Sequence, residues 1–414
     1  LARTGKSVGA VINYLHPDDE AYAFSGRYLC SPSLVRHPDG YLLASMDVYA
    51  GMNPQNLTLI FRSDDEGESW HYVSELFPCF WGKMFIYDGA LYMTGVSTEY
   101  GDLLIGRSTD GGKSFSHPEC LGISGSPPHL MLHSSGALIL TYGRREAPFG
   151  ERIMISRDGG KTWSPERMVM EPVPDSMDWF SVCDPAVIKY GEYYYIGYTS
   201  TVFANGGGVC NNGFIGRSKS PEGPFERWCG DGWGETRETA DGTLHWQGKP
   251  APVIYYDEDW HNWGAGEFSF VIKDETIYIY YTWTSKDRDG NPIHETRVAT
   301  ADITDENWPG KVIQQGVAVK RPRGGNDSYD VVYCEDLNKF IALSTDHRFS
   351  ENSVLAVYES DDGLRYTRVN NIKVNTGWMC HNCGISGDRH HHRHQWQPRF
   401  PHHPQDGGRH RGYR

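Results

Sequence analysis

The feature that most constrains this chain is a short acidic turn that keeps returning. "SRDGGKTW" at 156–163 is matched by "SDDEGESW" at 63–70, "STDGGKSF" at 108–115 and, more loosely, "ESDDGLRY" at 359–366. Each copy lies between two apolar runs, so each reads as the turn joining two short strands. A longer unit repeats around it. Residues 31–76, opening "SPSLVRHPDGYLLASMDVY", read as an apolar strand, a Pro-Asp-Gly turn, two further strands, the acidic turn and a fourth strand. The same cadence returns at 81–121, 129–169, 184–228, 266–308 and 329–369, and a seventh start, "CHNCGIS", stands at 380–386.

Four short strands per unit, joined by Asp-Gly, Ser-Gly and Tyr-Gly hairpin signals, predict an all-β chain. Sheets of this kind repeated six or more times describe a β-propeller of four-stranded antiparallel blades, because radial repetition lets each sheet bury both faces against its neighbours. Seven blades are expected, the last incomplete, with six as the alternative, and residues 1–29 are expected to supply an outer strand that closes the ring. The 25 Tyr, 13 Trp and 47 Gly suit short strands and tight turns, and no helix-period pattern competes. Residues 1–387 read as one domain. From Asp388 onward His, Arg, Pro and Gln dominate and no aliphatic residue occurs. Such a segment cannot bury enough apolar surface to offset its ordering entropy, so 388–414 is expected to be a disordered or foreign tail.

A net charge of −14 argues against nucleic acid or an anionic membrane surface as partner. No stretch approaches the ~20 apolar residues of a membrane span. The nine cysteines are scattered and odd in number, which is no disulfide framework. "CHNC" alone is weak evidence for zinc. The chain starts at Leu1 with neither an initiator Met nor a signal-peptide pattern, as expected of a fragment or processed form.

The pattern Ser-x-Asp-x-Gly-x-Thr/Ser-aromatic resembles the Asp-box of the sialidase-like (BNR-repeat) propellers, over residues 30–370. The resemblance implies that the turn is a structural hairpin at the blade periphery. Local chemistry agrees, since the Asp carboxylate can accept backbone N–H bonds and Gly takes positive φ. In sialidases the first blade opens with an Arg that grips the sialic carboxylate, whereas "LCSP" at 29–32 carries Cys30 there, so a typical sialidase is not implied. "SPSLVRHPDGYLLASMD", "FWGKMFIYDGALYMTG" and "TGWMCHNCGISGD" resemble a group of bacterial proteins labelled sialidase-like. The second half is similar to the arabinanase and β-xylosidase type of propeller glycosidase. "DPAVIKYGEYYYIGYTS" matches their Asp-Pro opening at Asp184, and "GAGEFSFVIKDETIYIYYTW" matches their inner-strand Glu at Glu267. That resemblance implies Asp184 as base or pKa-tuning group and Glu267 as acid, while Ser31 and Ser33 occupy the first-blade base position.

In a propeller the inner strands run along the axis, and their first residues ring one mouth. Those starts offer Ser31 and Ser33, Trp81 and Lys83, His129, Asp184, Glu267, Asp327 and Asp330, and His381, with Asp47 expected near the same mouth. Paired carboxylates are what glycosidic cleavage needs, one protonating the leaving oxygen and the other acting as base or nucleophile. Glu267, Asp184 and Asp47 are therefore the candidate catalytic residues. Trp81, His129, Asp330, His381, Arg145 and Trp263 are the candidates for substrate binding, Trp because its flat apolar face suits a sugar ring. The long loops between 205 and 264 add His245, Trp246, Trp260 and His261.

These residues point to a carbohydrate-active enzyme, an exo-acting glycoside hydrolase first, with an oligosaccharide or polysaccharide as partner. A lyase acting beside uronic acids through His129 or His381, and a non-catalytic glycan-binding propeller, are the alternatives. No cofactor is expected beyond a structural cation in the central channel.

Overall fold

The computed structural model describes residues 28–49, 55–133, 135–146, 150–203, 209–240, 244–258, 263–319, 326–347, 354–372, 384–385 and 390–393. Apart from one 3-10 turn at Trp308–Lys311, the regular elements among them are strands. Among the described residues six blades follow one another, each with its antiparallel strands in chain order; the fourth carries a fifth strand, Trp233–Gly234, and the sixth a parallel strand beside its innermost one. Their inner strands are Tyr28–Arg36, Phe80–Tyr87, His129–Leu132, Cys183–Tyr190, Ala265–Lys273 and Asn326–Cys334. The first three pack in succession against one another, as do the last three.

The expected all-β propeller is what the chain builds. A hairpin of Thr236–Glu238 and Leu244–Trp246 makes a seventh, two-stranded sheet between the fourth and fifth blades. Of the expected seventh-blade start, only Gly384 and Ile385 are among the described residues. Of residues 1–29, Tyr28 and Leu29 are described, and they open the first inner strand. Within 388–414, His392–Arg393 pair in parallel with Tyr333–Cys334 on the free edge of the sixth inner strand.

Burial follows the strand alternation. Leu43, Ile60, Leu91, Met93 and Leu104 fill the space between the first two blades, and Phe270, Ile279, Tyr281 and Trp308 that between the fourth and fifth. Each such side chain contributes about 1.5–3 kcal/mol when removed from water. Close approach requires glycine at 213, where a Cβ would stand 2.2 Å from the Phe268 ring.

The acidic turns are scaffold. In "SRDGGKTW" Ser156 Oγ accepts the Gly160 N–H (2.8 Å) and donates to Asp158 Oδ1 (2.9 Å), which also accepts the Thr162 N–H (2.9 Å). The same bonds recur at Ser108–Asp110 and Ser63–Asp65. Bonds from the following Ser or Thr hold each carboxylate down at about 2. In the looser fourth copy the glycine comes one residue earlier, and Gly363 N–H reaches Ser360 Oγ (2.9 Å).

Candidate functional site at the channel mouth

Strand register sorts the inner-strand starts into two rings. In the first blade the pairing slips by one residue between Cys30 and Ser33. The same one-residue bulge lies at Phe80–Lys83, Cys183–Ala186, Gly266–Ser269 and Asp327–Asp330. The third blade has it too, since the Gly125–Arg144 bridge aligns Ser126 with Gly143 while His129 pairs with Thr141. Aligned on the bulge, one ring reads Ser31, Trp81, Pro127, Asp184, Glu267 and Ser328. Two residues on, a second ring reads Ser33, Lys83, His129, Ala186, Ser269 and Asp330.

The first ring is strained. Ser31, Trp81, Asp184 and Glu267 have φ of 49°, 52°, 49° and 53°, in the left-handed region that non-glycine residues rarely adopt. Such a residue costs about 1–3 kcal/mol and persists only where its surroundings over-determine it. Here blade-to-blade bonds do so. Thr199, opposite Cys183, accepts the Glu267 N–H on Oγ1 (2.9 Å). Asp47, opposite Cys30, accepts the Gly82 N–H beside Trp81 (3.3 Å). In the second ring Ser33 Oγ accepts the Met84 N–H (3.0 Å) and Ser269 Oγ the Val331 N–H (3.1 Å), each from the next blade.

Asp184 and Glu267 stand at the same bulge position on neighbouring inner strands. Asp184 is exposed and Glu267 half-buried, with Oε2 accepting from Thr282 Oγ1 (3.0 Å). The Cys183 thiol, next to Asp184 in the chain, donates to Thr199 O (3.3 Å) and is pushed up to about 12, by burial first and then by the charges of Asp184 and Glu267. Nothing in the strand period singles out Cys183, Thr199 or Thr282; their positions follow only when the six inner strands are aligned on the extra residue.

A basic pair lies in the first half of the mouth. Lys83 Nζ donates to Pro32 O (3.3 Å), and burial followed by the Lys83 charge lowers the pKa of His129. Trp81 is half-buried, its ring 5.3 Å from that of Phe80.

The remaining candidates are placed differently. Asp47 is fully buried beneath the Trp81 bulge, its Oδ1 bonded to Thr58 Oγ1 (2.5 Å), with no solvent access. Asp330 uses both oxygens on protein donors: Ser269 Oγ (2.7 Å) and the Val331 N–H (3.1 Å) on Oδ1, and the Ile385 N–H (2.8 Å) on Oδ2. It ties residues 384–385 to the sixth blade. Arg145 is exposed at the end of the third blade's second strand, with Nε on Ser126 Oγ (3.1 Å). Trp263 stands 5.5 Å from the His294 ring on the outer part of the fifth blade. His245 is exposed and Trp246 half-buried on the two-stranded hairpin. His381, Trp260 and His261 lie outside the described residues. Among the described residues no three His, Cys, Asp or Glu side chains are grouped to hold a metal ion. No helix among them is long and apolar enough to cross a membrane.

An open cleft of about 640 Å3 lies at the far end of the first two blades, lined by Tyr41, Arg62, Asp64, Asp110 and Lys113 among others. Two of its carboxylates are already engaged, Asp64 by Arg62 and Asp110 by Ser114.

A family model for the BNR/Asp-box repeat matches residues 154–165. No curated protein matches the chain. Among solved structures, a polysaccharide lyase of family PL25, an ulvan lyase bound to -[GlcA(1-4)Rha3S]-, is similar at 12% identity, with 88% of this chain and 85% of that one covered and a TM-score of 0.51. An α-L-arabinanase of Penicillium chrysogenum complexed with arabinobiose matches at 15% identity, 89% and 99% coverage and a TM-score of 0.43. An α-L-arabinofuranosidase of Fusarium graminearum matches at 15% identity, 83% and 93% coverage and a TM-score of 0.40. At 12% identity the likeness to the ulvan lyase is one of fold alone, and the family match identifies the third acidic turn as an Asp-box repeat.

Proposed function

We propose that the protein is a carbohydrate-active enzyme, an exo-acting glycoside hydrolase whose reacting groups are Glu267 and Asp184. One observation carries this reading: two carboxylates occupy the same strained bulge position on adjacent inner strands. Glu267, held by Thr282, donates its proton to the glycosidic oxygen as the bond to the anomeric carbon breaks. Asp184, exposed at the mouth, takes the proton of the water that adds to that carbon, or keeps Glu267 protonated by its negative charge. Trp81 offers an apolar face to the sugar.

The test is reducing-sugar release from a panel of oligosaccharides and aryl glycosides by wild type, Glu267→Gln and Asp184→Asn. Both variants should fold with unchanged thermal midpoints and lose at least about a hundredfold in kcat, the scale of general acid–base catalysis. Full turnover by Glu267→Gln would remove it from the reaction.

A second reading rests on the Lys83–His129 pair. A histidine kept neutral beside a lysine suits proton abstraction next to a uronate whose carboxylate the lysine neutralises. The solved ulvan lyase shares this fold and was bound to a glucuronic-acid glycan. An unsaturated product absorbing in the ultraviolet, lost in His129→Ala and retained in Glu267→Gln, would select this reading over hydrolysis.

A further inference from the structure

The segment that links the third blade's last strand, Arg167–Met170, to the fourth inner strand carries an aromatic pair four and five residues before Asp184. Trp179 is 44% and Phe180 49% exposed, their rings edge to face at 5.5 Å. Adjacent large aromatics normally turn inward, and exposed ones at a fixed place mark a contact surface. Here the chain is pinned so that they stay out. Asp178, fully buried, accepts from the Val173 N–H (3.0 Å), Ser176 Oγ (2.7 Å), Tyr198 Oη (2.8 Å) and Arg227 Nη1 (3.0 Å). On the other side Ser181 Oγ accepts the Thr201 N–H (3.0 Å) and donates to Thr201 Oγ1 (3.2 Å). Residues 179 and 180 are thus presented between two anchors, one of them a buried ion pair that would be costly to keep as mere packing.

The platform sits on the connection that enters the fourth inner strand just before its bulge. Thr201 lies two residues beyond Thr199, which sits opposite Cys183 and accepts the Glu267 N–H. Size selects the occupant. Two half-exposed aromatic side chains offer about 200 Å2, far below the ~1,600 Å2 of a stable protein interface. That area suits the apolar C–H face of one or two pyranose rings, and its rigidity lowers the ordering cost of binding.

We propose that Trp179 and Phe180 form a stacking subsite for sugar units adjoining the one held at Asp184 and Glu267, an assignment that rests on the hydrolase reading of that pair. The subsite makes binding length-dependent: a chain that reaches the platform binds more tightly than one that does not.

The test uses neutral and uronate-containing oligosaccharides of one to six units, titrated by calorimetry and tryptophan fluorescence into the non-cleaving Glu267→Gln protein with and without Trp179→Ala. Turnover is measured in parallel on wild type and Trp179→Ala. Trp179→Ala should weaken the longer chains about tenfold, leave the shortest binder unchanged, raise KM without lowering kcat, and keep the thermal midpoint. Equal affinity of both proteins for every length overturns the subsite. If Glu267→Gln is impaired while Trp179→Ala keeps wild-type KM, the subsite falls and the hydrolase reading stands. If Trp179→Ala loses length-dependent binding while Glu267→Gln turns over normally, the catalytic reading falls and the subsite stands. Absence of binding to every member of the panel overturns both.

Discussion

Asp47 makes a prediction about pH that few buried carboxyls allow to be stated so directly. Its Oδ1 accepts from Thr58 and from the Gly82 N–H, while its Oδ2 is buried without a hydrogen-bond partner. Burial raises its pKa from 3.8 to about 7, against the bonds from Thr58 and Gly82 and the charge of Lys83. The unfolded chain therefore gives up this proton near pH 4 and the folded chain only near pH 7. Between those values the native state holds the extra proton, so stability falls as pH rises through the window and is flat on either side. The gap between about 7 and 3.8, at about 1.4 kcal/mol per pH unit, amounts to about 4 kcal/mol. Asp47→Asn keeps the volume and the acceptor, puts an N–H₂ where Oδ2 is, and does not titrate. The difference between variant and wild type, read from denaturant midpoints at pH 4.5, 6 and 8, should move by several kcal/mol in favour of the variant as pH rises. Comparing the two proteins cancels the other titrating groups. A difference that stays constant with pH, or moves the opposite way, would refute the assignment.

Other substitutions probe the scaffold. Ser156→Ala leaves the Gly160 N–H of the third acidic turn without its acceptor, and should lower stability by about 1–3 kcal/mol while leaving any glycosidase activity in place. Gly266→Ala would set a Cβ 2.3 Å from Thr199 Oγ1, which should cost about 1–3 kcal/mol and displace Glu267. Adding Thr199→Ala to Gly266→Ala should recover part of the loss, and strict additivity in that double-mutant cycle would show that the two residues do not meet.

The fold was legible because its signals are local. Turn chemistry at Ser156–Gly160 and strand alternation around it are written in consecutive residues, and both the blades and the peripheral role of the turn follow from them. The mouth was only partly legible. Trp81, Asp184 and Glu267 are recognisable as strand starts, but what separates them from Lys83, His129 and Asp330 is one extra residue in a cross-strand register. Register depends on the partner strand and leaves no trace in the strand's own period. Asp47 reads as the polar end of "LLASMD", and nothing along the chain tells that the next blade closes over it. Asp330 reads as an open carboxylate, yet donors 61 and 55 residues away occupy its oxygens. Trp179 and Phe180 sit in a connecting segment with no strand period, and only the burial of Asp178 reveals that they are held outward.

The recurring bulge separates conformation from chemistry. Serine, tryptophan, aspartate and glutamate all stand at φ near 50° in the same place, so the blade and not the side chain sets the backbone there. The conformational cost is carried once by the ring, whichever residue fills the position. Four of the six blades thus share a socket that accepts different functional groups on one backbone, and Ser31 carries a small hydroxyl where Trp81, Asp184 and Glu267 carry a ring or a carboxylate. A new side chain at Ser31, Trp81, Asp184 or Glu267 therefore meets a backbone already set.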